Sequence, residues 1–191
     1  MARGKEREDA ILAATMDLVG RVGYDALTMD AIAAHAKASK MTIYRRWRNK
    51  AELVKAALDA HDAEHNSAIP DTGSLRGDLI AVMRAMGELA TEPYMAMIGG
   101  LIAAARHDQD LAVALRDHVD NQELSPFLDT LRRAIARGDL PADTDTDLVH
   151  DVAEAMIQRQ VQLNAAFDNG FISRVVDDVL LVLLQQGGPR S

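Results

Sequence analysis

Basic and aromatic side chains recur between residues 40 and 50 at a spacing that suits recognition of DNA. In a helix over residues 40–47, Ile43 and Trp47 are four positions apart and share the inner face. The opposite side then carries four side chains: Met41, Tyr44, Arg45 and Arg48. An arginine can donate two hydrogen bonds to O6 and N7 of guanine, while tyrosine hydroxyls and lysines bind phosphates. The predicted chemistry is non-covalent recognition of a duplex.

A second pattern, from His61 to His65, would perform a different chemistry. The residues read His-Asp-Ala-Glu-His, which matches the H-x-x-E-H motif of inverted zinc peptidases and puts both imidazoles on one helical face. A catalytic zinc needs a third ligand and a supporting shell, and this motif lies at a helix end beside the loop 66–77. We therefore predict no enzyme, no cofactor and no metal, with His61 and His65 kept as the alternative metal site.

The helix predicted first along the chain covers residues 6–22. Ile11, Leu18 and Val22 recur at the helical period, and Gly20 and Gly23 are expected to end the helix.

Polar residues at helix starts predict the next three helices. The side chains of Thr28, Ser39 and Asn49 can accept hydrogen bonds from N–H groups of a first turn, and Glu52 completes a capping-box-like pair with Asn49. The expected helices run from Thr28 to about Ala36, over 40–47 and over 50–65. The first two helices are joined by a tight turn. Together they have helix-turn-helix spacing and cover residues 28–47 approximately.

The segments beyond the loop 66–77 are also periodic, and each is long. We predict helices over 75–91, 93–106, 109–137, 145–165 and 172–185, the third of them interrupted before Pro126, because proline cannot continue a helical ladder. No alternating strand pattern or internal repeat is visible. The predicted fold class is all-α.

The net charge of −8 conceals a division along the chain. Residues 1–60 hold 11 Lys and Arg against 8 Asp and Glu, whereas residues 61–191 hold 10 against 21. All five lysines occur by Lys55. The basic part coincides with the predicted helix-turn-helix, as DNA binding requires.

The composition limits the cellular setting. There is no cysteine, so disulfides and thiolate metal sites are excluded. The charged start of the chain is unlike a signal peptide, and no apolar run is long enough to cross a bilayer. We expect a cytoplasmic protein with no membrane partner. A helical adaptor that binds only protein is a third class, and it would show no salt-sensitive affinity for DNA.

Residues 6–56 resemble the DNA-binding domain of the TetR/AcrR family. The resemblance rests on a series of matches: Gly23-Tyr24, Thr28, Ile32-Ala33, Thr42-Ile43-Tyr44, Trp47 and Lys50. It implies phosphate contacts by Thr28, Tyr44 and Lys50. It also implies that five residues approach base edges or the adjoining backbone: Lys40, Met41, Thr42, Arg45 and Arg46.

One position departs from the family pattern. The turn between the two short helices usually contains glycine, and this chain has Lys37 there. A left-handed lysine costs on the order of 1 kcal/mol, so the turn is either strained or shifted.

The resemblance implies a regulator of transcription with two domains. Residues 1–56 would form a three-helix DNA-binding domain, and residues 57–191 a helical ligand-binding and dimerisation domain. The expected protein is a homodimeric, ligand-responsive regulator that acts as a repressor. It is expected to bind a near-palindromic double-stranded operator and an unknown small molecule.

Two sets of apolar residues are the candidates for those roles in the second half. The last two predicted helices have apolar coverage too wide for one buried face, which favours a dimer interface through Val152, Met156, Val176, Leu180 and Leu183. Adaptable side chains are candidates for the ligand pocket: Met83, Met86, Tyr94, Met97 and Phe127. For both sets the alternative is an ordinary core within one chain.

Overall fold

The computed structural model describes residues 2–65, 69–119, 125–163 and 165–186, and every regular element in these ranges is helical. The helices are α1 (Ala2–Ala26), α2 (Met29–His35), α3 (Lys40–Tyr44), α4 (Lys50–His65), α5 (Leu75–Leu89), α6 (Glu92–Ala104), α7 (Gln109–Val119), α8 (Pro126–Arg137), α9 (Thr146–Gln162), α10 (Asn169–Val175), a π-helical turn (Val176–Leu180) and α11 (Leu181–Gln186). The all-α prediction is confirmed. None of these helices is long and apolar enough to cross a membrane.

The chain divides into two compact units that do not follow the sequence in a single cut. The first unit comprises the described residues of 1–65 and 96–124, and the second those of 66–95 and 125–191. The predicted domains, 1–56 and 57–191, were divided along the sequence. By packing, residues 57–65 and 96–119 belong with the first unit.

The core of the first unit fixes the helix-turn-helix. Ile32, Ile43, Leu53 and Leu58 are completely or almost completely buried, and α4 packs along both α1 and α7. Leu111 of α7 joins the same core. The short helices α2 and α3 are therefore held by burial of their inner faces, since helices of this length are not stable alone.

Helix α1 begins earlier than predicted, and its break at Gly23 lies where the sequence predicts the helix to end. It passes through Gly20 without a break and is interrupted only at Gly23, where φ is 75° and ψ is 168°. This left-handed region is easily reached only by glycine. The next residue, Tyr24, turns inward and is buried.

The second unit is built around α5, α8, α9 and α10. Their inner faces bury Leu79, Met83, Phe127, Leu131 and Ile172. Pro126 begins α8, where a missing N–H costs nothing, and Gly138 ends it in the left-handed conformation. The predicted interruption before Pro126 is thus confirmed by two separate helices, α7 and α8.

A buried carboxylate joins the start of α5 to the end of α8. Asp78 is fully buried and accepts hydrogen bonds of 2.7 Å from the N–H of Thr72, the hydroxyl of Thr72 and the guanidinium of Arg137. Burial alone would raise the pKa of Asp78, but Thr72 and Arg137 together hold this pKa below its ordinary value. The charge is retained because every side of it is hydrogen-bonded.

The π-helical turn lies within the last helical segment. Ile172, Val176, Leu180 and Leu184 are all buried, although they are spaced by four residues. In a regular α-helix each step of four residues rotates the side chain by about 40° away from the starting face. The wider π turn takes up this rotation and keeps the four side chains directed at one core.

Candidate nucleic-acid interface

Two side-chain caps set the starts of α2 and α3. The hydroxyl of Thr28 accepts a hydrogen bond from the N–H of Ala31 at 3.1 Å, and the hydroxyl of Ser39 accepts one from the N–H of Thr42 at 3.2 Å. Both caps were predicted, and both are confirmed. Between the helices Lys37 has φ of 50°, so the turn keeps its left-handed conformation without glycine.

The inner and outer faces of α3 are as the sequence indicates. Ile43 has no exposed surface and Trp47 is 7% exposed, whereas Met41 is 81% and Tyr44 52% exposed. Arg45 and Arg48 are also exposed. An apolar inner face thus supports an outer face of donors and one aromatic ring, which can reach the edges and phosphates of a duplex.

The helix α3 ends earlier than residue 47. Its last residue is Tyr44, after which the N–H groups of Arg46 and Trp47 both donate to the carbonyl of Ile43, at 2.9 and 3.0 Å. Burial of Trp47 holds this turn in place. Arg45 and Arg46 therefore lie in the turn that directly follows α3.

The exposed side chains of residues 40–50 form what we call the reading surface, and three of its cations are paired with carboxylates of the same chain. Lys40 bonds to Asp30 of α2 at 2.6 Å, and Arg48 bonds to Glu52 of α4 at 2.5 Å. Arg46 forms an ion pair with Glu8 of α1. The hydrogen bond to Asp30 raises the pKa of Lys40, and the bond from Arg48 lowers the pKa of Glu52. An anionic ligand that contacts these cations must displace or share their carboxylate partners.

Lys50 is held against Tyr24. Its ammonium donates to the backbone carbonyl of Tyr24 at 3.0 Å and lies 4.0 Å from the centre of the tyrosine ring. The hydroxyl of Tyr24 in turn donates to Asp108, 3.1 Å away. Burial, together with Asp108, raises the pKa of Tyr24, so this hydroxyl keeps its proton. Lys50 can still present a charge to a phosphate, but from a fixed position.

Arg45 differs from these cations, because within the described residues no carboxylate pairs with it. It lines a cleft of about 250 Å³ between α1 and α3. The lining residues are Gly4, Arg7, Glu8, Ile11, Thr42, Arg45 and Arg46. The hydroxyl of Thr42 is already hydrogen-bonded to Ser39 at 2.8 Å. Among the cations within and directly after α3, Arg45 is therefore the one most available to a ligand.

The predicted capping box at α4 forms only in part. Asn49 accepts a hydrogen bond from the N–H of Glu52 at 2.9 Å, as expected. The carboxylate of Glu52 does not return to Asn49 but accepts the N–H of Arg48 at 2.8 Å. This hydrogen bond connects the first turn of α4 to Arg48, which precedes the helix.

The two histidines at the end of α4 lie close together. Their ring centroids are 4.1 Å apart, and His65 donates through Nδ1 to the carbonyl of His61 at 2.7 Å. Burial and the neighbouring His65 lower the pKa of His61. Among the described residues no group of three potential ligands surrounds a common point, so the geometry lends no support to a zinc peptidase.

The candidate pocket residues do not share one environment. Met83 and Phe127 are completely buried in the core of the second unit, and Met86 packs against that core. Met97 instead packs against the core of the first unit. Tyr94 is partly exposed. For Met83 and Phe127 the structure favours the ordinary-core alternative.

The candidate dimer residues divide into two groups. Val176 and Leu180 have no exposed surface within a single chain, which favours the ordinary-core alternative that the sequence left open for them. They complete the core of the second unit. Val152, Met156 and Leu183 are partly exposed. Leu148 and Val182, which belong to the same two apolar segments, are 50% and 39% exposed.

The acidic partners of the reading surface were also missed. Glu8 and Asp30 meet Arg46 and Lys40 across different helices, and no local spacing signals such pairs. Glu52 lies four residues after Arg48, a spacing that could have indicated the contact.

Two family models match the chain. Residues 11–57 match the model described as bacterial regulatory proteins, tetR family, and residues 69–179 match a tetracyclin repressor-like C-terminal domain.

Individual proteins align over most of the chain. A DNA-binding transcriptional repressor TetR of Mycobacteroides abscessus is 50% identical, with 98% of each chain covered. An uncharacterized HTH-type transcriptional regulator of Mycobacterium bovis is 34% identical over 92% of this chain and 86% of its own. The crystal structure of the TetR family transcription regulator SCO0332 superimposes with a TM-score of 0.71 at 29% identity, covering 92% of this chain and 97% of the other.

Proposed function

Because this chain belongs to the TetR family of DNA-binding transcriptional regulators, we propose that it is a repressor that binds a near-palindromic operator as a homodimer. The family consists of transcription regulators rather than enzymes. The relative from Mycobacteroides abscessus is described as a repressor, which supports the same direction of regulation here. The site of action we propose is the cytoplasm, where bacterial operators lie.

The outer face of α3 is the observation that carries this proposal. Met41 and Tyr44 are exposed on a helix whose opposite face is buried, and the exposed Arg45 directly follows its last residue. The helix can therefore enter the major groove without losing its support. Thr28 and Lys50 lie at the starts of α2 and α4, where N–H groups and positive charge favour phosphates. Residues 1–56 thus supply the proposed DNA-binding domain.

A homodimer is proposed because a two-fold operator requires two reading helices about 34–36 Å apart. An apolar stripe on α9, composed of Leu148, Val152 and Met156, lies beside the buried face of the same helix. Leu183 and Val182 of α11 add to the exposed apolar surface of the second unit. We propose these five residues for the contact between subunits, with residues 57–191 as the dimerisation and ligand-binding domain.

The small-molecule response is proposed from membership of the family. A ligand bound among the helices of residues 57–191 would alter the separation of the two reading heads, and a small change is sufficient to lose register with the operator. Met86 and Tyr94 of the second unit stay candidates for contact with it, because they are not wholly buried.

The proposal is tested with operator DNA selected by the full-length protein from a random-sequence duplex library. Arg45→Ala should weaken binding to the selected operator by about 1–3 kcal/mol and relax its sequence preference, since a base contact is lost. Tyr44→Ala should weaken binding to all sequences alike, because a phosphate contact carries no sequence information. Fluorescence anisotropy with operator and scrambled duplexes measures both effects.

Arg116→Ala is the matched control, since it removes the same charge from an exposed position on α7. Its operator affinity should equal that of the wild type. Binding that is unchanged in both the Arg45 and the Tyr44 variants would contradict the placement of α3. A wild type with no salt-sensitive affinity for DNA would favour the helical adaptor instead. The same assay with added small molecules identifies a ligand by loss of operator binding.

A further inference from the structure

Glu8 reaches the reading surface from a helix outside the helix-turn-helix. Its carboxylate forms an ion pair with Arg46, and the two side chains are 32% and 38% exposed. Both line the cleft between α1 and α3, together with Arg7, Thr42 and Arg45. A carboxylate therefore lies among three guanidinium groups at the point where the proposed interface would meet a DNA strand.

We propose that Glu8 is a specificity-determining residue for DNA binding: it retains Arg46 in an internal pair and so lowers the affinity for arbitrary DNA more than the affinity for the operator. This inference rests on the proposed function. In this proposal Arg46 is held by Glu8 and does not contact a base. Arg45 is then the arginine that contacts the bases of the operator.

The geometry around Arg46 supports this division. The backbone of Arg46 is fixed, because its N–H bonds to the carbonyl of Ile43 and the adjacent Trp47 is buried. Only the side chain can change partner. A phosphate entering the cleft would compete with Glu8 for Arg46 and would also meet the negative charge of Glu8.

The two modes of DNA binding depend on phosphate contacts to different degrees. Affinity for arbitrary DNA comes almost entirely from phosphates neutralised by Lys and Arg, whereas an operator also gains from base contacts in fixed register. A released Arg46 could reach any nearby phosphate in a loosely docked complex. In the operator complex the register is set by the bases, so the same release adds less. Removing the charge of Glu8 should therefore reduce discrimination.

The experiment compares the full-length wild type with Glu8→Gln on a selected operator and on a scrambled duplex of the same composition. One additional phosphate contact should steepen the dependence of log affinity on log salt by about 0.9 for scrambled DNA. At low salt, affinity for the scrambled duplex should rise at least about threefold. Affinity for the operator should rise less, so the ratio of the two affinities falls.

Glu6→Gln is the matched control, because Glu6 is an exposed carboxylate two residues earlier on α1. It removes the same net charge without releasing Arg46. The variants Arg46→Gln and Glu8→Gln/Arg46→Gln complete a double-mutant cycle. If Glu8 acts through Arg46, then Glu8→Gln has no additional effect when Arg46 is absent.

The outcomes separate this inference from the function on which it rests. A reduced affinity ratio for Glu8→Gln alone, absent from Glu6→Gln and from the double variant, supports it. Equal effects of Glu8→Gln and Glu6→Gln, or an effect that persists without Arg46, overturn it while leaving the operator-binding function intact. A wild type that does not distinguish operator from scrambled DNA overturns both.

Discussion

Lys37 occupies the turn between α2 and α3 with a φ of 50°, in a region that residues with a Cβ atom rarely adopt. The turn is held by hydrogen bonds from the N–H of Lys37 to Ala34 and from the N–H of Ala38 to Ala33. Of the two alternatives that the sequence left open, strained or shifted, the left-handed strained turn is the one observed. Hydrogen bonds on both sides of Lys37 outweigh the local cost.

Lys37→Gly should increase the free energy of unfolding by up to about 1 kcal/mol, because glycine adopts this conformation without steric cost. Urea denaturation followed by circular dichroism, at fixed protein concentration, measures the change. Lys37→Ala is the control, since alanine removes the long side chain and keeps the strain. A gain in stability of equal size in the alanine variant would show that the lysine side chain, and not the backbone, is responsible.

Side-chain positions that depend on neighbours in sequence were predictable, and those that depend on distant residues were not. Ile43 and Trp47 could be assigned to the inner face of α3 from their spacing alone. The partners of Arg46 and Lys40 lie 38 and 10 positions away on other helices, so no periodicity reveals them. An arginine that the sequence pattern assigns to an exposed face can therefore form an ion pair within the folded chain.

Helix starts were the most predictable features among the elements, because caps are local. Thr28, Ser39 and Asn49 each accept the hydrogen bond expected of them. Helix ends were less predictable. α3 stops at Tyr44, since burial of Trp47 is achieved by a tighter turn, and α1 continues past Gly20, since a single glycine costs a packed helix only about 1 kcal/mol.

Asp78 connects two elements, and its loss should destabilise the second unit. Asp78→Asn should lower the free energy of unfolding at pH 7 by about 2 kcal/mol, because the buried site loses its charge-assisted hydrogen bond to Arg137, whereas Arg137 keeps Asp71 and Asp139 as partners. The folded pKa of Asp78 is lowered, so its stabilising effect is complete above the ordinary pKa of 3.8 and is lost as the pH falls toward the folded value. The difference between variant and wild type should therefore shrink below about pH 5. Urea unfolding at several pH values measures it.

Asp178→Asn is the control for this series, because Asp178 is exposed on the π-helical turn of the same unit. It should change the stability by less than about 0.5 kcal/mol throughout. A difference between Asp78→Asn and the wild type that does not depend on pH would show that shape, rather than charge, accounts for the loss.

At the scale of the whole molecule, the fold class was predictable from composition and periodicity, whereas the grouping of helices into units was not. Leu101 and Leu111 belong to the core that holds α2 and α3, although they lie beyond residue 95 in the sequence. Apolar periodicity shows that a helix has a buried face but not which helix covers it. For the same reason the sequence could not show whether Val176 and Leu180 lie in the core of one chain or at the contact with a partner subunit.

Leu148→Glu should separate the proposed dimer without unfolding the chain. Leu148 is half exposed, and it is the third residue after the cap Asp145, where a glutamate is favourable for the helix. Buried between subunits, the same carboxylate would cost at least about 3 kcal/mol, or more than about 100-fold in dimer affinity. Light scattering at micromolar concentration should then give the monomer mass of 20.8 kDa.

Gln158→Glu adds the same charge to another face of α9, away from the stripe of Leu148, Val152 and Met156. It should leave the mass at twice that of the monomer. A Leu148→Glu protein that stays folded and dimeric would exclude this stripe as the contact between subunits. The exposed apolar residues of α11 would then be the next candidate for the contact.

The π-helical turn has a consequence for the tolerance of the last helical segment to a change in length. A π turn contains one residue more than the α-helical turn it replaces. If one exposed residue were deleted from this turn, the four buried side chains from Ile172 to Leu184 would follow the spacing i, i+4, i+7 and i+11, which keeps them on one face of a regular α-helix. The segment should therefore accept the loss of one residue from the turn without any change at the buried positions after it.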